Sequence, residues 1–178
     1  MTNTAEANVI EVSGLLLSLP PEWDASTPER LSQFQDELVL AAQENPGYET
    51  LLARFFDFAG TRSDLLIAWL VMPLTDEHDD VRGLLSATLV GGVVEDAEPW
   101  SVDTPASDLG PWRVIRRVSR HTEQIDQENS LEVLVVQYEV ELTETQRLVC
   151  ECRSPNVFLA DELASHFDQI VSSIRLVP

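Results

Sequence analysis

The chain contains no lysine, and all 11 of its basic residues are arginines. Against them stand 31 acidic residues, which give the 178-residue chain a formal net charge of -20 at pH 7. Nucleic-acid binding and attraction to an anionic membrane both depend on a basic surface, so neither is expected here. A partner selected by electrostatics would be basic, although a need for solubility explains the charge equally well.

Long apolar stretches are also missing from the chain. The longest run, residues 65–72, is far shorter than the roughly 20 residues of a membrane-spanning helix, so no membrane insertion is expected. Residues 1–8 form a polar leader without the basic and apolar regions of a signal peptide, which predicts a cytoplasmic protein. A composition of 44% hydrophobic and 24% charged residues predicts a single globular domain over residues 1–178.

Cysteine is scarce, and its two copies stand two positions apart in one alternating segment. Cys150 and Cys152 would share a strand face about 7 Å apart, a distance that a disulfide does not bridge without strain. The three histidines are scattered, so no zinc-ligand spacing results, and no cofactor is predicted. We expect two reduced, buried thiols that act as small core hydrophobes.

Motifs for catalysis are missing as well. Ser172 and Ser173 lack a G-x-S-x-G elbow, and the cysteines lack a Cys-His signature. The acidic run at residues 76–80 lacks the glycine and glutamate of an EF-hand loop, which favours a solvated turn over a metal site. The sequence therefore predicts a non-enzymatic protein with no catalytic or metal-binding residues. An active site assembled only by the fold stays open.

Hydrophobic periodicity is present throughout and predicts an α+β fold. Residues 9–19 alternate like a strand that ends at Pro20. Two helices are predicted to follow, the first capped by Ser26 and the second by Asn45, and to cover one face of the sheet.

Two apolar strands are predicted in the middle of the chain. The first, residues 65–72, is expected to end at Pro73 and to be buried on both sides. The second, residues 84–94, contains a glycine pair at 91–92 that indicates a bulge or bend. Residues 95–110 have no clear period and predict an irregular connection.

Three further alternating segments predict an antiparallel meander: residues 112–119, 131–142 and 146–153. Pairing the apolar faces of the last two places Val140 opposite Leu148 and Tyr138 opposite Cys150, because a one-residue slip would turn one apolar set outward. A three-residue loop at 143–145 results, although it lacks the glycine that such loops prefer.

The chain is predicted to end in an amphipathic helix over residues 157–174. Its apolar stripe is Leu159, Leu163, Phe167, Ile170 and Ile174. Its outward residues are Asp161, Glu162, Ser165, Asp168 and Gln169. This helix is expected to pack on the sheet.

The only basic cluster is Arg113, Arg116, Arg117 and Arg120, with His121 beside it. By strand parity Arg113 and Arg117 share one face, whereas Arg116 lies on the face expected to be buried, where it requires a carboxylate partner. Glu139 and Glu141 are predicted to neutralise the outer pair across strands. The sequence leaves open whether the cluster is paired internally or binds a ligand or phosphate.

A candidate partner surface lies opposite the core face of the strand at 131–142. Its residues are Leu131, Val133, Val135, Glu139, Glu141, Arg113 and Arg117. Apolar side chains occupy one half of this face and acidic ones the other. Either a helix covers the apolar half, or the face forms an acid-bordered groove for a partner segment.

Residues 14–23, Gly-Leu-Leu-Leu-Ser-Leu-Pro-Pro-Glu-Trp, resemble the opening strand and proline–tryptophan turn of the PsbP-like superfamily. Residues 152–155 and 167–175 resemble its closing strand and terminal helix, as in DcrB-like and LpqN-like bacterial members. The resemblance implies an α/β/α sandwich, in which helices cover a twisted, mainly antiparallel sheet. Members of this superfamily bind other proteins, including a photosystem subunit, a small GTPase and hydrophobic segments of secreted toxins.

The sequence as a whole predicts a cytoplasmic, non-enzymatic protein-binding module, such as an adaptor, an immunity protein or a chaperone. Its protein partner would be basic or carry an apolar segment, and a homodimer is compatible with these features. The alternative is a small-molecule binder or an unrecognised hydrolase, which would show convergent polar groups in a pocket.

Overall fold

A computed structural model describes residues 8–12, 14–26, 66–75, 81–95, 106–124, 127–128 and 130–177. These residues form two antiparallel β-sheets and one α-helix, a mainly β variant of the predicted α+β class. The two helices predicted after Ser26 and the acidic turn predicted at residues 76–80 lie outside the described residues.

The smaller sheet has the order β1-β2-β10, with β1 at Asn8–Val12, β2 at Leu15–Leu19 and β10 at Arg175–Leu176. The prediction of one strand over residues 9–19 is therefore wrong, because the segment folds into a hairpin with Val12 paired to Leu15. Gly14, between the strands, has a φ of 77°, a left-handed conformation that glycine adopts without steric cost. The Ser-Gly dipeptide at residues 13–14 was the turn signal that the alternation obscured.

The larger sheet has the order β3-β4-β5-β9-β8-β7-β6, and all its neighbours are antiparallel. Its strands are β3 (Asp24–Ser26), β4 (Leu66–Thr75), β5 (Val81–Glu95), β6 (Ala106–Leu109), β7 (Trp112–Gln124), β8 (Ser130–Glu141) and β9 (Gln146–Ser154). The predicted meander is confirmed, with a longer first strand than expected.

Proline and glycine behave differently from the prediction in β4 and β5. Strand β4 does not end at Pro73 but continues past it, with Pro73 opposite Leu84. A proline is tolerated there because β3 reaches only to the level of Trp69, which leaves one side of β4 open among the described strands.

The predicted bulge at residues 91–92 is also wrong, since the pairing of β5 with β9 runs through both glycines without a shift. A Cβ atom on Gly91 would lie 3.1 Å from Sγ of Cys150. Gly91 therefore permits close contact between β5 and β9.

The segment predicted as an irregular connection contains part of β5, up to Glu95, and all of β6. Gly110, with a φ of 63°, begins the two-residue turn from β6 to β7. A Cβ atom there would lie 2.7 Å from the carbonyl oxygen of Ser172. This turn therefore requires glycine both for its backbone conformation and for its approach to the end of the helix.

The register of the last hairpin is confirmed, with Val140 opposite Leu148 and Tyr138 opposite Cys150. The three-residue loop forms without glycine because a side chain closes it. Oγ1 of Thr143 accepts the backbone N–H of Gln146 at 3.0 Å. Such a hydroxyl-to-backbone bond is a known substitute for a backbone turn.

The terminal helix, α1 (Ala160–Ser172), follows a 3₁₀ turn at Val157–Leu159. Its predicted stripe is buried at Leu163, Phe167 and Ile170, with Ile174 buried just beyond the helix. Asp168, predicted to face solvent, is instead half-buried and bonded to the sheet, as described below.

Helix α1, strand β2 and Trp23 share one hydrophobic core with one face of the large sheet. We call this the inner face, and its centre is formed by Leu134, Val136 and Tyr138 of β8. No described residues form a helix over the opposite, outer face. Among the same residues, no helix is long and apolar enough to cross a membrane.

Candidate functional site

The outer face of the large sheet carries a lattice of alternating charges. Arg117 of β7 forms an ion pair and hydrogen bond with Oε1 of Glu139 on β8. Arg147 of β9 lies 3.9 Å from the other oxygen of the same carboxylate. One glutamate therefore joins three strands.

The lattice continues toward both ends of these strands. Arg113 lies 4.0 Å from Glu141, so both cross-strand pairs predicted from the sequence are confirmed. At the other end, Arg153 contacts Glu123 at 2.7 Å and Glu151 at 2.6 Å. Such partly exposed pairs contribute about 0–1 kcal/mol each, so the lattice specifies strand neighbours more than it stabilises the fold.

The residues of the predicted partner surface are less accessible in the structure than the sequence suggested. Val133 is 4% exposed and Val135 is 1% exposed, while Leu131 is half-buried. The apolar half of this face is therefore largely buried. Glu139 and Glu141 are neutralised by arginines of the same chain rather than bordering an accessible groove.

On the inner face, three polar groups meet at one carboxylate oxygen. The hydroxyl of Tyr138 donates to Oδ1 of Asp168 at 2.8 Å, and Nε of Arg116 lies 3.0 Å from the same oxygen. Asp168 is thus the carboxylate partner that strand parity demanded for Arg116. The sequence did not identify this pair, because the helical pattern predicts that Asp168 faces solvent.

The chemistry available at this inner cluster is limited by burial. Desolvation raises the pKa of Tyr138, with further contributions from the neighbouring Cys152 and from its hydrogen bond to Asp168. Desolvation also raises the pKa of Cys150 to about 12 and that of Cys152 well above its ordinary value. All three groups are protonated at neutral pH, so neither thiol is a thiolate nucleophile. The two cysteines are unbridged and buried, as predicted.

Histidine takes part in two contacts. Nε1 of Trp23 donates to Nε2 of His166 at 3.0 Å, which requires that ring nitrogen to be unprotonated. Desolvation lowers the pKa of His166, and the nearby charge of Glu22 opposes that shift. His166 therefore acts as a neutral acceptor that holds the proline–tryptophan turn against α1.

The second contact is between Oγ of Ser119 and Nε2 of His121, which lie 2.9 Å apart on the outer side of β7. A serine beside a histidine is the beginning of a nucleophilic site, but catalysis also needs a group that orients the base. No carboxylate in the described part of the chain contacts His121. The pair is exposed and two residues apart on one strand, which is the geometry of a local surface hydrogen bond.

The least expected feature is an open edge on β7. Strand β6 pairs with four of its thirteen residues, from Trp112 to Ile115. Along the other nine, residues 116–124, no described strand pairs with the side of β7 that faces away from β8. We call these nine residues the open edge. Val118, within it, is 50% exposed.

Sequence reasoning missed this edge because it ended the strand at residue 119. The continuation, Arg-His-Thr-Glu-Gln at residues 120–124, is polar on both strand faces and gives no alternating pattern. Its pairing with β8 nevertheless extends to Gln124 opposite Ser130.

No protein-family model matches this chain, and no curated protein matches it either. The resemblance to the PsbP-like superfamily therefore stays a prediction, supported by residues at the two ends of the chain. In the described part of the structure, no three His, Cys, Asp or Glu residues are grouped as ligands for a metal ion.

Most of the arginines with described side chains are neutralised by carboxylates of the same chain. Five of those with described side chains pair with carboxylates: Arg113, Arg116, Arg117, Arg147 and Arg153. Arg175 instead donates to the carbonyl oxygens of Ser172 and Ile174 at the end of α1. Arg120 is exposed and pairs with no described carboxylate. Since most of these cations are neutralised internally, the excess of carboxylates dominates what the protein presents to a partner.

Proposed function

We propose that this protein is a non-enzymatic protein-binding module. The observation that carries the proposal is the open edge of β7. Each edge strand presents backbone N–H and C=O groups outward, and an extended segment of another protein can satisfy them by adding one more strand. Even without Gln124, which has a partner of its own, residues 116–123 of this edge are longer than a typical strand and long enough to hold such a segment in one register.

The buried chemistry supports binding over catalysis. The described cysteines have raised pKa values, and the ring nitrogen Nε2 of His166 is occupied by Trp23. Among the described residues, the small-molecule or hydrolase alternative is supported by the exposed Ser119–His121 pair, and this pair lies on the same strand as the open edge. A bound strand would contact it.

The acidic charge supports a basic protein as partner. Five of the arginines with described side chains are paired internally, and a chain of formal net charge -20 attracts basic proteins and accelerates their encounter, most strongly at low salt. Binding in this proposal is therefore steered by the whole molecule and completed at one edge.

We retain the α/β/α sandwich as part of the proposal. Val135 and Ile115, on the outer face, are each 1% exposed, so that face does not simply contact water. Its burial is in keeping with a helical layer opposite α1, as the helical patterns after Ser26 predict.

The proposal can be tested by photo-crosslinking in the native cell. A benzoylphenylalanine would replace Val118 on the open edge or, as a control, Val9 on β1, which is 63% exposed. We expect position 118 to give a specific adduct with one protein and position 9 to give none. Adducts from neither position, or the same adducts from both, would contradict a binding site at this edge.

A further inference from the structure

The two sides of the open edge offer different chemistry to an added strand. Successive residues of a strand point to opposite faces, so Val118 and Arg120 share the inner face, while Ser119 and His121 share the outer one. An added strand would alternate in the same way. Its side chains would meet Val118 and Arg120 at positions two residues apart.

Val118 marks where an apolar row stops abruptly. Its cross-strand partner on β8, Val136, is 0% exposed, and the next residue in the row, Cys152 of β9, is also 0% exposed. Val118 itself is 50% exposed, because no described strand stands beside it. An apolar side chain on an added strand would extend this row by one member.

Arg120 differs from the other arginines at the edge. Arg116 is held by Asp168 of α1 and Arg117 by Glu139 of β8, so neither offers an unpaired charge. Arg120 stands opposite Leu134, which is 0% exposed, and contacts no carboxylate in the described part of the chain. Among the described residues, Arg120 is the cation without a carboxylate partner on the same face as Val118.

From this arrangement we infer the occupant of the edge: an extended segment of another protein that carries an apolar residue and a carboxylate two positions apart. The inference rests on the proposed binding function and adds the chemistry of the segment. The protein's overall negative charge does not forbid one carboxylate, because charges more than about 8 Å apart are largely screened at physiological salt. A second copy fits less well, since it would bring the same arginine-bearing edge against itself.

The inference can be tested with a labelled nine-residue peptide by fluorescence anisotropy. The peptide is threonine throughout, except for valine, glutamate and valine at its third, fifth and seventh positions, so that it fits in either strand direction. In one control, glutamine replaces the glutamate. In another, the glutamate moves to the fourth position and therefore to the opposite face.

We expect Arg120→Gln to weaken binding of the glutamate peptide about two- to five-fold, the range of an exposed ion pair, and to leave the glutamine peptide unaffected. Val118→Thr should weaken both. The Arg120→Glu variant should bind a peptide with lysine at the fifth position more tightly than the glutamate peptide. All three substitutions are at exposed positions, so the fold is expected to survive.

Strand addition has its own signature in this assay. N-methylation of alternate peptide residues should abolish binding for one set of positions and spare the other, because only one set points its N–H groups at β7. Equal effects of the two sets, or equal binding of the glutamate, glutamine and displaced-glutamate peptides, would overturn the inference. A dimer by sedimentation that Val118→Arg disperses would also overturn it, with a second copy as the occupant.

The two proposals fail separately. If these peptides do not bind but position 118 still crosslinks one protein in the cell, the binding function stands and the inferred chemistry is wrong. If positions 118 and 9 crosslink alike, the edge is not the binding site and both proposals fall.

Discussion

On its inner face, β8 presents Leu134, Val136 and Val140 to a closed hydrophobic core, whereas its outer face presents Gln137 and Glu139 to charged partners on neighbouring strands. The same alternating sequence thus serves two different stabilising effects. Burial of a large apolar side chain contributes about 1.5–3 kcal/mol, while a partly exposed ion pair contributes about 0–1 kcal/mol. Because Val133 and Val135 are buried on the outer face as well, the contrast is between apolar burial and the charged lattice. The hydrophobic core should dominate stability, and the charged lattice should dominate strand specificity.

The largest expected effect comes from the inner face. Phe167 of α1 is 0% exposed and contacts Trp23 edge-on, with ring centroids 6.2 Å apart. We expect Phe167→Ala to lower the free energy of unfolding by roughly 3–5 kcal/mol, the usual cost of truncating a core phenylalanine.

Denaturant melts with tryptophan fluorescence would measure this loss. The matched control is Glu162→Ala, at an exposed position of the same helix, which should change stability by about 0.5 kcal/mol or less. If Phe167→Ala were as stable as the parent, α1 would not close the inner face.

A smaller loss of stability is expected from removing the carboxylate of Asp168 on the inner face. Asp168→Ala would leave the buried hydroxyl of Tyr138 without its acceptor and Arg116 without its ion pair. We expect a loss of about 1–3 kcal/mol, the cost of an unsatisfied buried donor.

A double-mutant cycle with Tyr138→Phe separates the two contributions. The phenylalanine removes the hydroxyl that needs an acceptor, so Asp168→Ala should cost less in that background than in the parent. Strictly additive losses would show that the hydrogen bond between these side chains contributes nothing.

The contrast between the faces also explains what the sequence could predict. Hydrophobic periodicity predicted two features correctly: strand alternation gave the register of Tyr138 opposite Cys150, and helical spacing gave the stripe through Phe167. The pairing of Arg117 with Glu139 followed from the same parity.

Prediction failed where local chemistry replaced alternation. The hairpin at Gly14 interrupts a run that alternates across it, and Pro73 lies within a strand beyond the reach of the described neighbour β3. Asp168 was misplaced because helical periodicity gives the direction of a side chain but not what the sheet brings to meet it. The open edge of β7 lies beyond Ala106, the first described residue of β6, and no pattern within β7 records how far its neighbour reaches.

The smallest expected effect comes from the outer face. Arg117→Gln removes the cation on β7 that pairs with Glu139 of β8, while Arg147 of β9 remains 3.9 Å from the same carboxylate. Because the arginine is partly exposed and Glu139 keeps a second partner, we expect a loss of about 0–1 kcal/mol. Denaturant melts would measure this loss. The difference in unfolding free energy between variant and parent should be smaller in high salt than in low salt, since salt screens the pair. A loss as large as that of Phe167→Ala, unchanged by salt, would mean that the charged lattice carries the fold as much as the core does, and the distinction between the two faces would not hold.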